Sequence, residues 1–226
     1  MFTYILMMIP AVLITLWASY RVKASFKKYS KVPSANGFTG FQAAREILDR
    51  NGLQRIRIEK TKSFLGDHFD SGAGVLRLSP DVYRINSLSS IGVAAHEAGH
   101  ALQQAKNYSP LALRQALVPI TQFSSTIFNV LIFAGVIAAW LFSFVGLIKI
   151  AILFLGVTVI FSIITLPVEF NASSRARKLL VAYGIVTRKE DTHIATVLNA
   201  AALTYVAAAA SAIITLLYYV FAFLDD

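Results

Sequence analysis

Residues 126–168 read TIFNVLIFAGVIAAWLFSFVGLIKIAILFLGVTVIFSIITLPV and contain a single charged residue. A helix needs about 20 apolar residues to cross a bilayer, so this stretch is long enough for two transmembrane helices. We place the two spans at 126–147 and 150–168 and join them by a tight turn around 146–149. The stretch therefore predicts a transmembrane hairpin, which we bound at residues 119–168.

Two further apolar stretches lie at the ends of the chain. Residues 2–20 carry no charge, and residues 197–224 are rich in alanine, a small residue that lets transmembrane helices approach closely. The sequence thus predicts four transmembrane helices, with the first within 1–20 and the last within 197–226. The composition agrees, because only 15% of the residues are charged, whereas about a quarter are charged in a typical soluble domain.

The distribution of basic residues predicts the orientation of these helices. Twenty of the 21 Lys and Arg residues lie in segments 21–118 and 169–196, which four spans place on the same side of the membrane. Because Lys and Arg are enriched in cytoplasmic loops, these segments should be cytoplasmic and both termini outside. The net charge of +9 is then a topology signal, and no basic motif interleaved with aromatic residues points to nucleic acid.

Segment 21–118 has the pattern of a small folded region. The stretch Thr39–Gln42 matches a capping box, so a helix should follow it and end near Arg50. A second helix should cover 91–105, with one of the two serines before it as the N-cap residue, Ser89 or Ser90. The fold prediction is therefore a mainly α integral membrane protein with a small cytoplasmic α+β region.

Two short strands are predicted within the same region. Residues 55–60 alternate between polar and apolar, and residues 75–78 form a second short apolar run. The stretch 66–74 between them is rich in turn-forming residues, so we predict a loop there.

The predicted helix over 91–105 carries the sequence HEAGH at residues 96–100. Positions i and i+4 share one helical face, so His96 and His100 can bind one zinc ion from one side. Glu97 can reach a zinc-bound water as general base, and zinc lowers the pKa of that water to about 7. A helix that carries two histidines by chance is the plainer alternative. The chain has no cysteine, which excludes thiolate ligands.

A hydrolytic zinc site needs a third protein ligand and one open position. Glu169 is the only acidic residue between positions 97 and 190, and the predicted hairpin returns the chain there to the side of the two histidines. Glu169 is therefore the predicted third ligand. The alternatives are an interfacial carboxylate that pairs with Arg175, and a ligand supplied instead by His68 with its two neighbouring aspartates.

The motifs resemble those of known membrane enzymes. Residues 95–102, AHEAGHAL, are similar to the active-site helix of membrane zinc metallopeptidases, and residues 169–173 resemble the Glu-x-x-x-Asp segment of HtpX-type and CAAX-prenyl endopeptidases. Nearly the whole chain resembles the bacterial YugP-like family of neutral zinc metallopeptidases. The stretches that carry this wider resemblance include 78–83, 108–119 and 200–205.

The resemblance implies a peptidase of the HExxH-plus-Glu type. It implies that His96, His100 and Glu169 are the ligands of one zinc ion and that Glu97 is the catalytic base. The family's substrates are poorly defined, so the resemblance implies peptide-bond hydrolysis without naming a target.

The chain departs from the HtpX type at Ser173, where that type has an acid that orients a ligand histidine. A serine accepts only a weaker, neutral hydrogen bond. Either another group orients the histidine, with Asn171 and Ser174 as nearby candidates, or the histidine is held less firmly.

The oxyanion that develops during hydrolysis needs a hydrogen-bond donor beyond the zinc ion. His193 is the first candidate, Tyr205 the second and Arg175 the third. Their plainer interpretations are a helix-capping histidine, a packing tyrosine and a positive charge of the cytoplasmic side.

An extended substrate often pairs with the edge strand of a peptidase through main-chain hydrogen bonds. The strand before the HEAGH helix is suitably placed in the sequence for this role, although an ordinary structural strand would have the same pattern. The predicted substrate-binding residues are Val75, Leu76, Arg77 and Leu78.

The sequence therefore predicts a multi-pass, zinc-dependent endopeptidase of the cell membrane that cleaves membrane or membrane-associated proteins at the cytoplasmic face. The alternative from another class is a non-catalytic zinc-binding scaffold or adaptor, whose site would be closed by a fourth protein ligand. Intramembrane proteolysis is disfavoured because the chain has no Asp-Gly segment, and a transporter because the predicted spans are uncharged. The expected partners are a peptide or membrane-protein substrate and the bilayer, with an oligomer or adaptor left open.

Overall fold

The structure, a computed structural model, describes residues 2–63 and 66–224, with side chains from residue 7 onward. Within these ranges the chain forms seven helices and three short strands. The helices are α1 (Phe2–Tyr29), α2 (Gly40–Arg50), α3 (Pro80–Arg84), α4 (Leu88–Ala105), α5 (Ser109–Phe142), α6 (Gly146–Ala182) and α7 (Arg188–Phe223). The strands are β1 (Arg57–Lys60), β2 (His68–Asp70) and β3 (Val75–Leu78).

Three helices in the described part of the chain, α5, α6 and α7, are long and apolar enough to cross a membrane. Large apolar side chains point outward from them; Phe133, Trp140 and Leu153 are more than two-thirds exposed. Helices that are apolar even on their exposed faces suit a lipid environment. The protein is therefore mainly helical, with three candidate membrane-spanning helices and a small sheet. The first predicted span lies within α1, and the count of four stays a prediction, as do the orientation and the cytoplasmic place of the α+β region.

The hairpin between α5 and α6 turns earlier than predicted. Helix α5 ends at Phe142 and α6 begins at Gly146, so the connection is residues 143–145 rather than 146–149. Ser143 turns the chain with a φ of 53°, and the N–H of Lys149 already bonds the carbonyl oxygen of Val145 within the first turn of α6. Helix α6 also continues past the predicted end of the span at 168 and carries Glu169 without a break.

Hydrogen bonds at the helix starts confirm one cap and correct another. Thr39 caps α2 as predicted, since its Oγ1 accepts from the N–H of Gln42 while the Gln42 side chain accepts from the N–H of Thr39. Helix α4 begins three residues before the predicted start because Ser87 is its N-cap and accepts from the N–H of Ser90. Ser89 and Ser90 therefore lie inside the first turn.

The sheet has the order β1–β3–β2, which corrects two predictions. The predicted loop at 66–74 contains β2, which pairs antiparallel with β3, whereas β1 pairs parallel with β3 from the other side. The predicted substrate-binding strand, β3, is thus the central strand, so the edge-strand role of its four residues is wrong. Val75, Leu76 and Arg77 are paired with strands on both sides, and Leu78 is paired with Lys60 of β1.

Residues 19–111 and 168–203 form one compact unit, and the remaining described residues form another. The first unit contains the sheet, α2, α3 and α4. It also contains residues 168–182 of α6 and 188–203 of α7. Its core joins the buried side chains of the sheet and helices, among them Ile47, Leu76, Ile91 and Ile194. All three predicted zinc ligands belong to this unit.

Candidate metal centre

Helix α4 presents the two histidines of the motif on one face. The Nε2 atoms of His96 and His100 lie 3.1 Å apart, and their rings meet edge to face with centroids 4.7 Å apart. Both side chains are about one-eighth exposed. Residues four apart lie about one turn above each other on a helix, so the i, i+4 spacing brings the two imidazole rings together as predicted.

Helix α6 brings Glu169 to the same place. Its Oε2 lies 3.2 Å from the Nε2 of His96 and 3.5 Å from the Nε2 of His100, and only 2% of the residue is exposed. The possible ligand atoms of these three residues all lie within 4.8 Å of one another. Among the residues that the structure describes, they are the one such group of His, Asp or Glu side chains.

The chemistry of these donors fits a zinc ion. Zinc prefers imidazole nitrogen and carboxylate oxygen in a tetrahedral arrangement, and three protein ligands leave one position for water. The Nδ1 of His96 lies 3.0 Å from the Oγ of Ser173, and the Nδ1 of His100 lies 2.9 Å from the Oε1 of Gln103. A metal-binding histidine characteristically bonds a neighbour through its second ring nitrogen, which leaves the two Nε2 atoms for the ion.

Glu97, the predicted catalytic base, contacts strand β2. Its Oε2 accepts a hydrogen bond from the N–H of Phe69 at 3.0 Å, and the residue is 9% exposed. The strand that the sequence did not predict therefore holds the carboxylate beside the candidate metal ligands.

Charges around the cluster shift the pKa of His100. Burial lowers this pKa, but the hydrogen bond to Glu169 and the negative charges of Glu97 and Glu169 outweigh burial, so the net pKa is raised above 6.5. The metal-free pocket therefore favours a proton on His100, and a metal ion has to displace it.

Asp67 is a half-buried acid close enough to Glu97 to be affected by its charge. Burial raises the pKa of its carboxyl above 3.8, and the charge of Glu97 raises it further, against hydrogen bonds from Ser79 that lower it. The N–H of Ser79 donates to the Oδ1 of Asp67 at 2.7 Å. Asp67 thus ties the segment before β2 to the start of α3.

Each of the two histidines has a different hydrogen-bond partner at its Nδ1 atom. Ser173 contacts His96, which is the place the resemblance assigns to an acid, and it offers a neutral oxygen. Gln103, which sequence reasoning missed, contacts His100. Its position three residues after His100 on one helical face was the signal that could have found it. Asn171 is linked to His100 only through Gln103, whose Nε2 donates to the Oδ1 of Asn171 at 3.0 Å. Ser174 is exposed.

The rival third ligand, His68, belongs to a different cluster on the sheet. Its Nδ1 lies 2.8 Å from the carbonyl oxygen of Gly66, and its Nε2 lies 3.4 Å from the Nη1 of Arg77. Arg77 also donates to Asp70 at 2.7 Å. His68 is the first residue of β2 and bonds the turn that precedes the strand, which agrees with the plainer interpretation of it as a histidine that caps a turn.

The candidate oxyanion donors lie on the two long helices that follow the turn of the hairpin, Arg175 on α6 and the other two on α7. His193 of α7 stacks on Tyr29 with ring centroids 5.1 Å apart, and Tyr205 lies further along the same helix. Arg175 donates from Nε to the Oδ1 of Asn171 at 2.6 Å and lies over the ring of Tyr108. The proposed role of His193 in stabilising an oxyanion stays a prediction, as do those of Tyr205 and Arg175.

Comparisons with known proteins identify relatives of the whole chain. A family model described as "Putative neutral zinc metallopeptidase" matches residues 4–224. The "Putative membrane protease YugP" of Bacillus subtilis (strain 168) is 43% identical over 222 residues, which cover 98% of this chain and 97% of that protein. No solved structure matches the chain significantly.

Proposed function

Because the chain belongs to the neutral zinc metallopeptidase family, as its motifs predicted, we propose that it is a zinc-dependent endopeptidase of the cell membrane. Its substrates in this proposal are membrane or membrane-associated proteins, cleaved at the cytoplasmic face. The observation that carries the proposal is the convergence of His96, His100 and Glu169, with the charge of Glu97 close enough to act on His100.

The proposed chemistry divides between the ion and the chain. When bound by the two Nε2 atoms and the Glu169 carboxylate, zinc supplies Lewis acidity and lowers the pKa of a coordinated water. Glu97 takes a proton from the attacking water at its carboxylate and later gives it to the leaving amine. The N–H of Phe69 bonds one oxygen of Glu97, so it fixes the direction in which the carboxylate faces.

The number of ligands favours an enzyme over a scaffold. Among the described residues the group that could hold an ion has three members, whereas a structural zinc site is closed by four. An open fourth position is where a hydrolytic water would bind.

The apolar helices support the membrane setting. Three helices of the described chain could span a bilayer by length and composition, and the relative from Bacillus subtilis is named as a membrane protease. The cytoplasmic face is proposed from the segments that hold most of the Lys and Arg residues.

The test compares Glu97→Gln with the wild-type protein in detergent, with casein as the substrate. We expect the variant to bind zinc as the wild type does and to lose cleavage, because glutamine cannot accept the proton of the water. The matched control is Glu46→Gln, since Glu46 forms a surface ion pair with Arg50 on α2. Equal cleavage by Glu97→Gln and wild type would remove Glu97 from its role. A wild type that binds zinc but cleaves neither casein nor membrane proteins would favour the scaffold.

A further inference from the structure

A chain of hydrogen bonds leads away from His100. The Nδ1 of His100 contacts the Oε1 of Gln103 at 2.9 Å, and the Nε2 of Gln103 donates to the carbonyl oxygen of Val168 at 2.8 Å and to the Oδ1 of Asn171 at 3.0 Å. The Nε of Arg175 donates to the same Oδ1 at 2.6 Å. Gln103 is fully buried, whereas Asn171 and Arg175 are half-buried.

The directions of these bonds are determined by the groups at their ends. The carbonyl oxygen of Val168 can only accept, so the nitrogen of the Gln103 amide must face it and the oxygen must face His100. The guanidinium of Arg175 can only donate, so the oxygen of the Asn171 amide must face it. Both amides therefore have one consistent orientation.

This orientation selects the form of the His100 ring. An amide oxygen only accepts, so the Nδ1 of His100 must carry the hydrogen, and a neutral ring then has its lone pair on Nε2. That lone pair is directed toward Glu169 and His96. Ser173 cannot make the same selection at His96, because a hydroxyl both donates and accepts.

Gln103 also links the two helices that supply the candidate ligands. It lies on α4 with His100, and the carbonyl oxygen that it binds belongs to Val168, the residue directly before Glu169 on α6. One side chain thus contacts one ligand residue directly and the backbone beside another.

We propose that Gln103 is a positioning residue for the metal centre: it presents the Nε2 of His100 to the ion and sets the place of Glu169, while Asn171 and Arg175 hold the Gln103 amide in its orientation. This inference rests on the proposed function, because it requires that His100 and Glu169 bind zinc.

The test measures zinc affinity of the full-length chain in detergent by competition with a chelator, together with the visible absorption spectrum of the cobalt-substituted protein. Gln103→Leu removes both the acceptor and the donor, and we expect zinc affinity about 10- to 100-fold below wild type, with an altered cobalt spectrum, as is typical when such a partner is lost. Gln103→Glu keeps an oxygen that accepts from His100 but loses the N–H that donates to Val168, so we expect an affinity between those of wild type and Gln103→Leu.

A second pair of variants covers the case in which the buried substitutions prevent folding. Asn171 is half-buried on α6. Asn171→Ala removes the acceptor of Gln103 and should weaken zinc binding, whereas Asn171→Asp keeps that acceptor and should bind zinc as the wild type does.

The outcomes separate the two proposals. If wild type binds zinc and Glu169→Ala does not, wild-type affinity in Gln103→Leu overturns the role of Gln103 alone. Equal weakening in Gln103→Leu and Gln103→Glu also overturns the proposed role at His100, because the oxygen that accepts from His100 would then contribute nothing to zinc binding. If wild type and Glu169→Ala bind zinc equally, the metal centre itself is wrong.

Discussion

Gly99 of α4 lies so close to Ala172 of α6 that a Cβ atom on Gly99 would be 2.7 Å from the carbonyl oxygen of Ala172. Real side chains essentially never approach a backbone oxygen so closely, and neither backbone can yield without a shift of its helix. The absence of a side chain at Gly99 therefore sets the distance between the helix that carries the two histidines and the helix that carries Glu169.

We expect Gly99→Ala to destabilise the protein and to weaken zinc binding. Overpacking of a close contact costs about 1–3 kcal/mol, and the shift that relieves it would move His100 away from Glu169. Thermal unfolding and zinc content of the purified protein measure the two effects. Gly156→Ala is the control, since a Cβ atom at Gly156 of α6 would meet nothing within 4 Å. Wild-type stability and zinc content in Gly99→Ala would contradict the importance of this close packing.

Glu169→Ala should lower zinc occupancy while the protein stays folded. The Glu169 carboxylate is the only anionic member of the candidate ligand group, and its removal leaves two imidazoles to hold the ion. Metal analysis after dialysis gives the occupancy, and Glu46→Gln again serves as the control. Unchanged occupancy would show that Glu169 is not a ligand and that the proposed metal centre is wrong.

Ser173→Ala should weaken zinc binding by up to about tenfold, because His96 loses the oxygen at its Nδ1. Ser173→Asp supplies the acid that the HtpX type has at this place, and a charge-assisted hydrogen bond should keep the affinity at or above that of wild type. Chelator competition measures both variants, with Ser174→Ala, a change at an exposed neighbour, as the reference. No difference between Ser173→Ala and wild type would show that Ser173 does not support His96.

The pH dependence of stability should reverse when zinc is added. The pKa of His100 is raised above 6.5 in the metal-free protein, so its protonation stabilises the fold below pH 6.5, and this contribution is lost as the pH rises through the raised pKa. Zinc binds the unprotonated ring, so stabilisation by zinc should instead grow as the pH rises through the same range.

Thermal unfolding midpoints between pH 5 and 8, with a chelator and with zinc, test this reversal. His100→Gln has no titrating ring at this position and should lose the pH dependence that His100 contributes in both series. Parallel pH profiles with and without zinc would mean that His100 and the ion do not compete.

Most of the local structure could be predicted because its causes are close together in the sequence. The Thr39 capping box needs only residues up to Gln42, and the common face of His96 and His100 follows from a separation of four residues on one helix. The long apolar stretches likewise predict transmembrane helices from their length alone. Glu169 could be predicted as a neighbour of the histidines because it is the one acid where the hairpin returns.

Apart from the start of α4 and the turn of the hairpin, the errors concern contacts between segments that are distant in the chain. The place of β3 at the centre of the sheet depends on β2, a strand of three residues that is too short to show a period. The contact of Gln103 with Val168 spans 65 positions, and that of Phe69 with Glu97 spans 28. Apolar runs and helical spacing are patterns of residues close together in the sequence. The sequence alone therefore predicts the helices and the common face of His96 and His100. Strand order, the partner of each histidine and the approach of Gly99 to Ala172 depend on how those elements pack, because hydrogen bonds and steric limits act between surfaces that meet only after folding.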